Sequence, residues 1–307
     1  MTKLTGDPVR VLTRFGGVAT AGQLRAACDP WAIRKAVRAG VILRSGPRRY
    51  ALPTAAEGLA AAARVGGILA GPSAAAYWGW ALKEQPSEPW VLFRRGWKRP
   101  GLDRAGLVIR WSRIPDEEVY DGRVTSPLRT VVDCLRWLPE PDALCVADSA
   151  IRSRRVDRPA LIAALEEGPA YQRPRALRLA TMADGRAANP FESVLRWTAS
   201  AVPGLELEPQ GDVDGIGHGD LVDKRLRLVI EAESHEFHTE KSAFRYDCRR
   251  YTAMVRAAWR VVRFVYEDVM GKPDYVRDVL RDVVALGPQT TYSNHAPGID
   301  RRVMGGI

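Results

Sequence analysis

Acidic and histidine side chains follow directly on an apolar stretch, in the segment LRLVIEAESHEFH from Leu226 to His238. The apolar part has the composition of a β-strand, in which alternate side chains point to the same face. Glu231 and Glu233 therefore share a face, about 7 Å apart by the rise of a strand. His235 and His238 come next in the chain. This arrangement places four groups that bind metals or transfer protons at one strand end.

A third carboxylate, Asp220, lies on the preceding strand of a predicted hairpin that turns at Lys224 and Arg225. Converging carboxylates repel one another unless a cation lies among them. Oxygen ligands suit Mg²⁺ or Mn²⁺, and such an ion polarises a phosphoryl oxygen and lowers the pKa of a bound water. The sequence therefore predicts a metal site of Asp220, Glu231 and Glu233 that hydrolyses phosphodiester bonds.

Other groups near this site have matching roles. His235 and His238 are candidates for proton transfer. Four basic residues on the next predicted helix could hold phosphates, namely Lys241, Arg245, Arg249 and Arg250. A different interpretation is that Glu-Ala-Glu forms an exposed strand edge that discourages aggregation. Under that interpretation the histidines are ordinary surface residues.

The surrounding elements are predicted in the order helix, three strands, helix, strand, helix. Asn189 is the expected cap of the first helix, and Glu192 lies in its first turn, where a negative charge suits the helix dipole. Strands are expected at LELEPQ, GDLVD, LRLVIEAE and WRVVRFVY. A long helix from Thr239 to about Ala257 precedes the last strand, and a final helix begins near Asp268.

The spaced residues of this region form a pattern that belongs to a known family. They are Asp220, Glu231-x-Glu233-Ser234, His238, Asp247-x-Arg249-Arg250, WRVVRF and EDVM. The pattern, from about Asn189 to Leu286, closely resembles a PD-(D/E)xK endonuclease-like domain, in the branch related to very-short-patch-repair (Vsr) endonucleases. The resemblance implies a restriction-endonuclease-like αβββαβ fold. It also implies metal-binding acids Asp220 and Glu231, with Glu192 as the helix acid and His238 as the branch's histidine.

Three positions depart from the family pattern. Glu233 stands where many relatives have lysine and where this branch usually has aspartate. Ser234 replaces a glycine, and Ala258 replaces the glycine before Trp259. Without the lysine, no residue is assigned to orient the attacking water. The expected catalytic set is thus Asp220, Glu231, Glu233, His238 and Glu192.

The first 53 residues concentrate positive charge, with ten Lys or Arg against two acidic residues. Their pattern predicts three short helices followed by a hairpin around Ser45-Gly46-Pro47, which is the order of a winged helix. Such a fold lays its third helix in the DNA major groove while the wing contacts phosphates. The residues expected on these surfaces are Arg34, Lys35, Arg38, Arg48 and Arg49. The other interpretation is a small solvated domain whose positive face only raises solubility or binds protein.

Residues 54–170 alternate helices with short strands and contain no recognisable catalytic group. Asp133 and Asp148 lie on its predicted helices, where acids are most often caps or surface residues. Residues 1–53 and 54–170 resemble the winged helix and the following domain of AbiEi-type antitoxins. A polar, Arg-rich linker is expected over residues 171–188, an endonuclease-like domain over 189–286 and a disordered tail over 287–307.

Composition limits the class of protein. The 307 residues carry a net charge of +10, which favours an anionic partner, nucleic acid first. The four cysteines form no CxxC pair, which fits a reducing, cytoplasmic location. The uncharged stretch from Val65 to Leu82 contains glycine, proline and serine and is mostly alanine, so a membrane helix is not expected.

The sequence therefore predicts a multi-domain α/β protein that binds DNA and cleaves it with Mg²⁺ or Mn²⁺. The alternative is a non-catalytic regulator of the AbiEi antitoxin type, in which the nuclease fold serves as a scaffold. Its partners would be DNA and a second copy of the chain or a toxin-like protein.

Overall fold

A computed structural model of the protein describes residues 6–14, 18–46, 49–97, 101, 103–233 and 241–288. Within these ranges the chain forms thirteen α-helices and three separate β-sheets. The fold is mixed α/β, and buried apolar side chains form a separate cluster beside each sheet. The predicted multi-domain α/β class is therefore confirmed at this level. No helix of the described ranges is long and apolar enough to cross a membrane.

The first unit has three helices and three strands. They are α1 Pro8–Arg14, β1 Val18–Thr20, α2 Ala21–Ala27, α3 Pro30–Arg38, β2 Leu43–Gly46 and β3 Arg49–Ala51. The strands form an antiparallel sheet in the order β1-β3-β2. Thr20 and Gln23 cap α2 reciprocally, and the Asp29 side chain accepts a hydrogen bond at the start of α3. The predicted order of three helices and a hairpin is observed, and β1 is an additional strand.

The middle unit begins with α4 Thr54–Val65 and contains a five-stranded sheet. Its other elements are β4 Ile68–Leu69, α5 Gly71–Tyr77, β5 Trp90–Arg94, β6 Val108–Ser112, a 3-10 helix Asp116–Glu118, β7 Val119–Tyr120, β8 Val124–Thr125, α6 Pro127–Trp137, α7 Glu140–Arg152, α8 Arg158–Glu167 and α9 Arg173–Met182. The strand order is β6-β5-β4-β8-β7. The alanine-rich stretch supplies β4 and α5, whose side chains are largely buried in the core of this unit.

Helix α9 lies where a polar linker was predicted, so that prediction is wrong. Ala176, Leu179 and Ala180 are buried against the core of the middle unit. Arg175, which made the segment look like a linker, donates from Nη1 to the carbonyl of Leu135 at 2.8 Å. Arginine stems cover apolar surface while their guanidiniums satisfy carbonyls, so an Arg-rich helix can pack on a core.

The C-terminal unit contains a four-stranded sheet with helices on both faces. Its elements are α10 Pro190–Ser200, β9 Glu208–Asp212, β10 His218–Asp223, β11 Leu228–Glu233, α11 Lys241–Arg256, β12 Arg260–Val265, α12 Tyr266–Gly271 and α13 Pro273–Ala285. The sheet order is β12-β11-β10-β9, and only the β11–β12 pair is parallel. The predicted element order is observed, with the final helix divided at Lys272.

The two faces of this sheet bury different residues. Leu221 and Ile230 belong to a cluster with residues of α10, α12 and α13. Val222 and Val229 belong to another cluster with Met254 of α11. Alternation along the strands therefore directs Asp220, Glu231 and Glu233 toward the α11 face.

The middle and C-terminal units meet where α7 contacts α10. Asp148 of α7 is 1% exposed, and its Oδ1 accepts from the backbone N–H of Asp184 at 2.8 Å. Its Oδ2 accepts from Ser193 Oγ at 2.7 Å and from the guanidinium of Arg196. Asp133 is equally buried, so the expectation that both acids are caps or surface residues is wrong. Helical periodicity did not reveal that other helices cover both sides of α6 and α7.

Candidate acidic site of the C-terminal sheet

The hairpin of β10 and β11 brings two carboxylates together. Leu221 pairs with Ile230 in the antiparallel register, and continuing this register places Asp220 opposite Glu231. The backbone N–H of Ala232 donates to Asp220 Oδ2 at 2.8 Å. The expected juxtaposition of Asp220 with the acids of β11 is therefore present.

Gln210 of β9 connects Asp220 to the helix acid Glu192. Its Nε2 donates to Asp220 Oδ1 at 3.0 Å and lies 3.4 Å from Glu192 Oε2. Gln210 also has a left-handed backbone, with φ of 50°. Nothing in the sequence distinguished this amide from other polar residues of a strand.

Glu192 is held from the N-terminal side of α10. Its Oε2 accepts from the backbone N–H of Ala188 at 2.7 Å, and its Oε1 accepts from Asn189 Nδ2 at 3.0 Å. Asn189 Oδ1 accepts in turn from the N–H of Glu192 at 3.1 Å. Asn189 is thus the helix cap that the sequence predicted, and Glu192 shares in capping while its carboxylate faces Gln210.

Glu231 is 6% exposed and has one arginine partner. Arg250 of α11 donates from Nη1 to Glu231 Oε1 at 3.1 Å and to the carbonyl of His218 at 2.8 Å. Within the described ranges no residue donates a hydrogen bond to Glu231 Oε2. The Arg250 guanidinium, which was predicted to bind phosphate, therefore pairs with Glu231.

Glu233, predicted as a metal ligand, forms an ion pair with Arg263. Arg263 of β12 donates from Nε to Glu233 Oε2 at 2.9 Å, and Tyr251 OH lies 3.4 Å from the same oxygen. The guanidiniums of Arg250 and Arg263 lie over the Tyr251 ring, 4.7 and 4.4 Å from its centroid. Glu233 thus belongs to a layer of two arginines and a tyrosine beside the metal-site candidates.

Burial raises the pKa values of the three carboxylates, and the charge of Asp220 raises those of Glu192 and Glu231 further. Burial, followed by the nearby charge of Asp220, raises the pKa of Glu231 to about 8, although Arg250 opposes the shift. The same two causes raise the pKa of Glu192 to about 7. The pKa of Asp220 is also raised, mainly by burial. A site of this kind favours any cation that neutralises it.

Several predicted residues cannot be placed. His235 and His238 lie outside the described residues, as do the side chain of Lys241 and all of Arg48. Arg49 lies on β3, but its side chain is outside the described part. Arg249 is exposed on α11, and Arg34, Lys35 and Arg38 are exposed on α3 as predicted.

The three predicted metal ligands are not assembled as one set. In the described part of the chain, no group of three or more His, Cys, Asp or Glu side chains has an arrangement suited to a metal ion. Asp220 and Glu231 form a pair of opposed acids, while Glu233 bonds to Arg263. The segment that follows Glu233, with His235 and His238, lies outside the described residues.

Comparisons with known proteins show relatives of unassigned function. No family model matches the chain. It is 32% identical over 162 residues to the uncharacterized proteins MT2308 and Rv2248 of two Mycobacterium tuberculosis strains. The match covers 50% of this chain and 58% of each relative, so the chain spans little more than half their length.

One solved structure also matches, the crystal structure of the RV2827C protein from Mycobacterium tuberculosis. The match covers 66% of this chain and 83% of that chain at 19% identity. Its TM-score is 0.28, which is too low to support an inference about fold or function.

Proposed function

We propose that the protein is a Mg²⁺-dependent DNA endonuclease, with a C-terminal domain of the Vsr-like PD-(D/E)xK type. The observation that carries this proposal is the opposition of Asp220 and Glu231, with Glu192 connected to Asp220 through Gln210. Burial raises the pKa of all three acids, and the charge of Asp220 raises those of Glu192 and Glu231 further. Keeping such acids close together is costly unless a cation joins them.

Asp220 and Glu231 would hold Mg²⁺ or Mn²⁺. Two opposed carboxylates fit this ion because Mg²⁺ sites commonly use one or two acids and complete their octahedron with waters and substrate phosphate. Glu231 Oε2, which accepts no hydrogen bond from the described residues, fits a ligand role. When bound, the ion polarises the phosphoryl oxygen and lowers the pKa of a water. Gln210 positions Asp220 relative to Glu192.

The first unit would bring the DNA. As a winged helix, it would present α3 to the major groove, where Arg34, Lys35 and Arg38 are exposed. Arg249, exposed on α11, would contact phosphates near the acidic site. A cytoplasmic location, where DNA is accessible in a bacterial cell, accompanies this proposal.

A second candidate function is a DNA-binding regulator of the AbiEi antitoxin type that does not cleave. The favouring observation is that guanidiniums already balance two acids, in the pairs Arg250–Glu231 and Arg263–Glu233. The family's lysine position is occupied by Glu233. In this case the C-terminal unit would be a scaffold for a second copy or a toxin-like partner.

A cleavage assay decides between the two functions. Purified protein would be incubated with single-stranded, duplex, mismatched and branched DNA, with Mg²⁺ or Mn²⁺ or with a chelator. The nuclease proposal expects metal-dependent cleavage that Glu231→Ala abolishes while DNA binding persists. The exposed acid Glu206 provides the control, since Glu206→Ala should cleave normally. Binding to DNA without cleavage of any substrate would support the regulator.

A salt titration tests the DNA-binding part. Replacing Arg34 and Arg38 by glutamine should weaken duplex binding and flatten the dependence of log affinity on log salt by about one for each lost phosphate contact. Arg281→Gln, an exposed arginine of α13, is the matched control. Unchanged affinity and slope in the α3 variants would contradict the assignment of α3 to DNA.

A further inference from the structure

The middle unit contains a cleft that plays no part in the acidic site. It lies between β6, the residues that follow β6, the helix α6 and the segment that precedes α9, with a volume of about 700 Å³. That volume is in the range of sites for small organic ligands. Five arginines line the cleft against two carboxylates, so its charge favours an anion.

Three of the arginines are available to a ligand. Arg95, Arg110 and Arg113 form no ion pair within the described residues, and Arg95 and Arg113 are exposed. Arg110 is oriented by aromatic rings, because its guanidinium lies 4.7 Å from the centroid of Trp90 and 5.8 Å from that of Trp137. Arg129 serves the wall itself, since its Nε donates to Asp133 at 2.8 Å.

The rim of the cleft presents aromatic rings to solvent. Trp111 is 39% exposed and Tyr171 is 64% exposed. The Trp111 ring is fixed from behind by Phe93, at 5.0 Å between centroids. An exposed ring held in place beside unpaired arginines is a combination on which a nucleic-acid base can stack while its phosphate binds the cations.

We propose that this cleft binds a nucleotide, with its phosphate at Arg95, Arg110 and Arg113 and its base against Trp111 or Tyr171. The nucleotide is either free or one unit of a single strand, and both sources share this chemistry. None of these residues belongs to the acidic site, so the binding is independent of DNA cleavage.

Calorimetric titration of the full chain tests the proposal. The probes are the four deoxynucleoside monophosphates, the corresponding nucleosides, inorganic phosphate and thymidine tri- and hexanucleotides. At least one monophosphate should bind about tenfold more tightly than its nucleoside and than phosphate, because each of those lacks half of the contacts. Equal affinity for phosphate and nucleotide, or no binding of any nucleotide, would overturn the proposal.

Two further comparisons locate the binding site and show whether the ligand is a free nucleotide or part of a strand. Arg95→Gln and Arg113→Gln should each weaken nucleotide binding about tenfold. The exposed Arg123, paired with Asp121 away from the cleft, supplies the control Arg123→Gln. Wild-type affinity in both cleft variants would overturn the assignment. Tighter binding of the oligonucleotides than of monophosphates would identify a strand as the ligand, and equal binding a free nucleotide.

A third variant separates this site from the proposed nuclease. Glu231→Ala should bind nucleotides like the wild type while it loses cleavage. If Glu231→Ala instead loses nucleotide binding, the nucleotide binds at the acidic site and the cleft assignment is wrong.

Discussion

Two buried carboxylates, Asp148 at the contact of α7 with α10 and Glu231 on β11, occupy very different surroundings. They are 1% and 6% exposed, and each faces one arginine. Asp148 accepts hydrogen bonds on both oxygens, from Asp184, Ser193 and Arg196. Glu231 accepts only from Arg250 among the described residues, and Asp220 is close enough to raise its pKa.

This difference separates a structural acid from a candidate functional one. A buried carboxylate whose two oxygens both accept hydrogen bonds from the protein contributes to folding and has little capacity left for a ligand. A buried carboxylate that repels its neighbours has such capacity and gains from a cation. Burial alone therefore does not mark a site, whereas unsatisfied charge does.

The largest expected effect on stability is at Asp148. Asp148→Ala should lower the free energy of unfolding by about 3–5 kcal/mol, because it leaves Arg196 buried without its partner. Glu231→Gln should cost less than about 1 kcal/mol at pH 7.5, since the neutral amide relieves repulsion from Asp220. Denaturant unfolding followed by circular dichroism measures both, with the exposed Asp282→Ala as control. Equal losses at the two buried sites would remove the distinction between them.

Metal binding should stabilise the folded protein through the acidic site only. Mn²⁺ at about 100 times its Kd should raise the free energy of unfolding by about 2.7 kcal/mol, because it binds the folded state. The double variant Asp220→Asn with Glu231→Gln should lose this gain, whereas Asp148→Asn, if folded, should keep it. Calorimetric titration measures the affinity directly. Mn²⁺ affinity that survives in the double variant would contradict the assignment of these ligands.

Stability without metal should decline with rising pH. The pKa of Glu231 rises from 4.5 to about 8 on folding, so between these values the folded protein binds more protons than the unfolded chain. The contribution of protonated Glu231 to the free energy of unfolding is therefore complete below about pH 4.5 and lost as the pH passes about 8. Glu192 changes the stability in the same direction up to about pH 7. We expect the free energy of unfolding to fall by up to about 1.4 kcal/mol per pH unit over this range, because the folded state holds one proton that the unfolded chain has released.

The charged groups around Glu231 set the size of this fall. Asp220 and Glu233 increase it, while Arg250 reduces it. Glu231→Gln should flatten the profile of unfolding free energy between pH 6 and pH 8.5, and saturating Mn²⁺ should do the same in the wild type. A profile in Glu231→Gln as steep as that of the wild type would place the responsible protons elsewhere, with Asp133 the next group to examine.

The smallest expected effect on stability is at Ala258, in the backbone beside β12. Its replacement leaves Asp148 and Glu231 unchanged. Ala258 has a left-handed φ of 58°, a conformation that costs a side chain about 1–2 kcal/mol but is free for glycine. Ala258→Gly should therefore stabilise the protein by about 0.5 kcal/mol after the entropy cost of glycine, without altering the pH profile. Ala257→Gly, at a neighbour without positive φ, should destabilise it. Thermal unfolding measures the stability of the two variants. If both are less stable than the wild type, the backbone at Ala258 is not strained.

Local sequence determined the elements of the C-terminal unit and the caps that begin them. Alternation in LRLVIEAE and the signal at Asn189-Pro190 act over a few residues, so β11 and α10 follow from neighbours in the chain. The exposure of Arg34, Lys35 and Arg38 likewise follows from the period of α3. The opposition of Asp220 and Glu231 follows from a short hairpin, whose register is set within ten residues of chain.

Only the tertiary structure decided which charges meet across the chain. Arg263 reaches Glu233 because β12 pairs in parallel beside β11 after an intervening helix. Gln210 reaches Glu192 because β9 lies at the sheet edge near α10. The burial of Asp148, the packing of α9 and the arginine cleft depend in the same way on several elements at once. Periodicity describes one element, whereas the partner of a buried charge comes from another element, so its identity is absent from any local pattern.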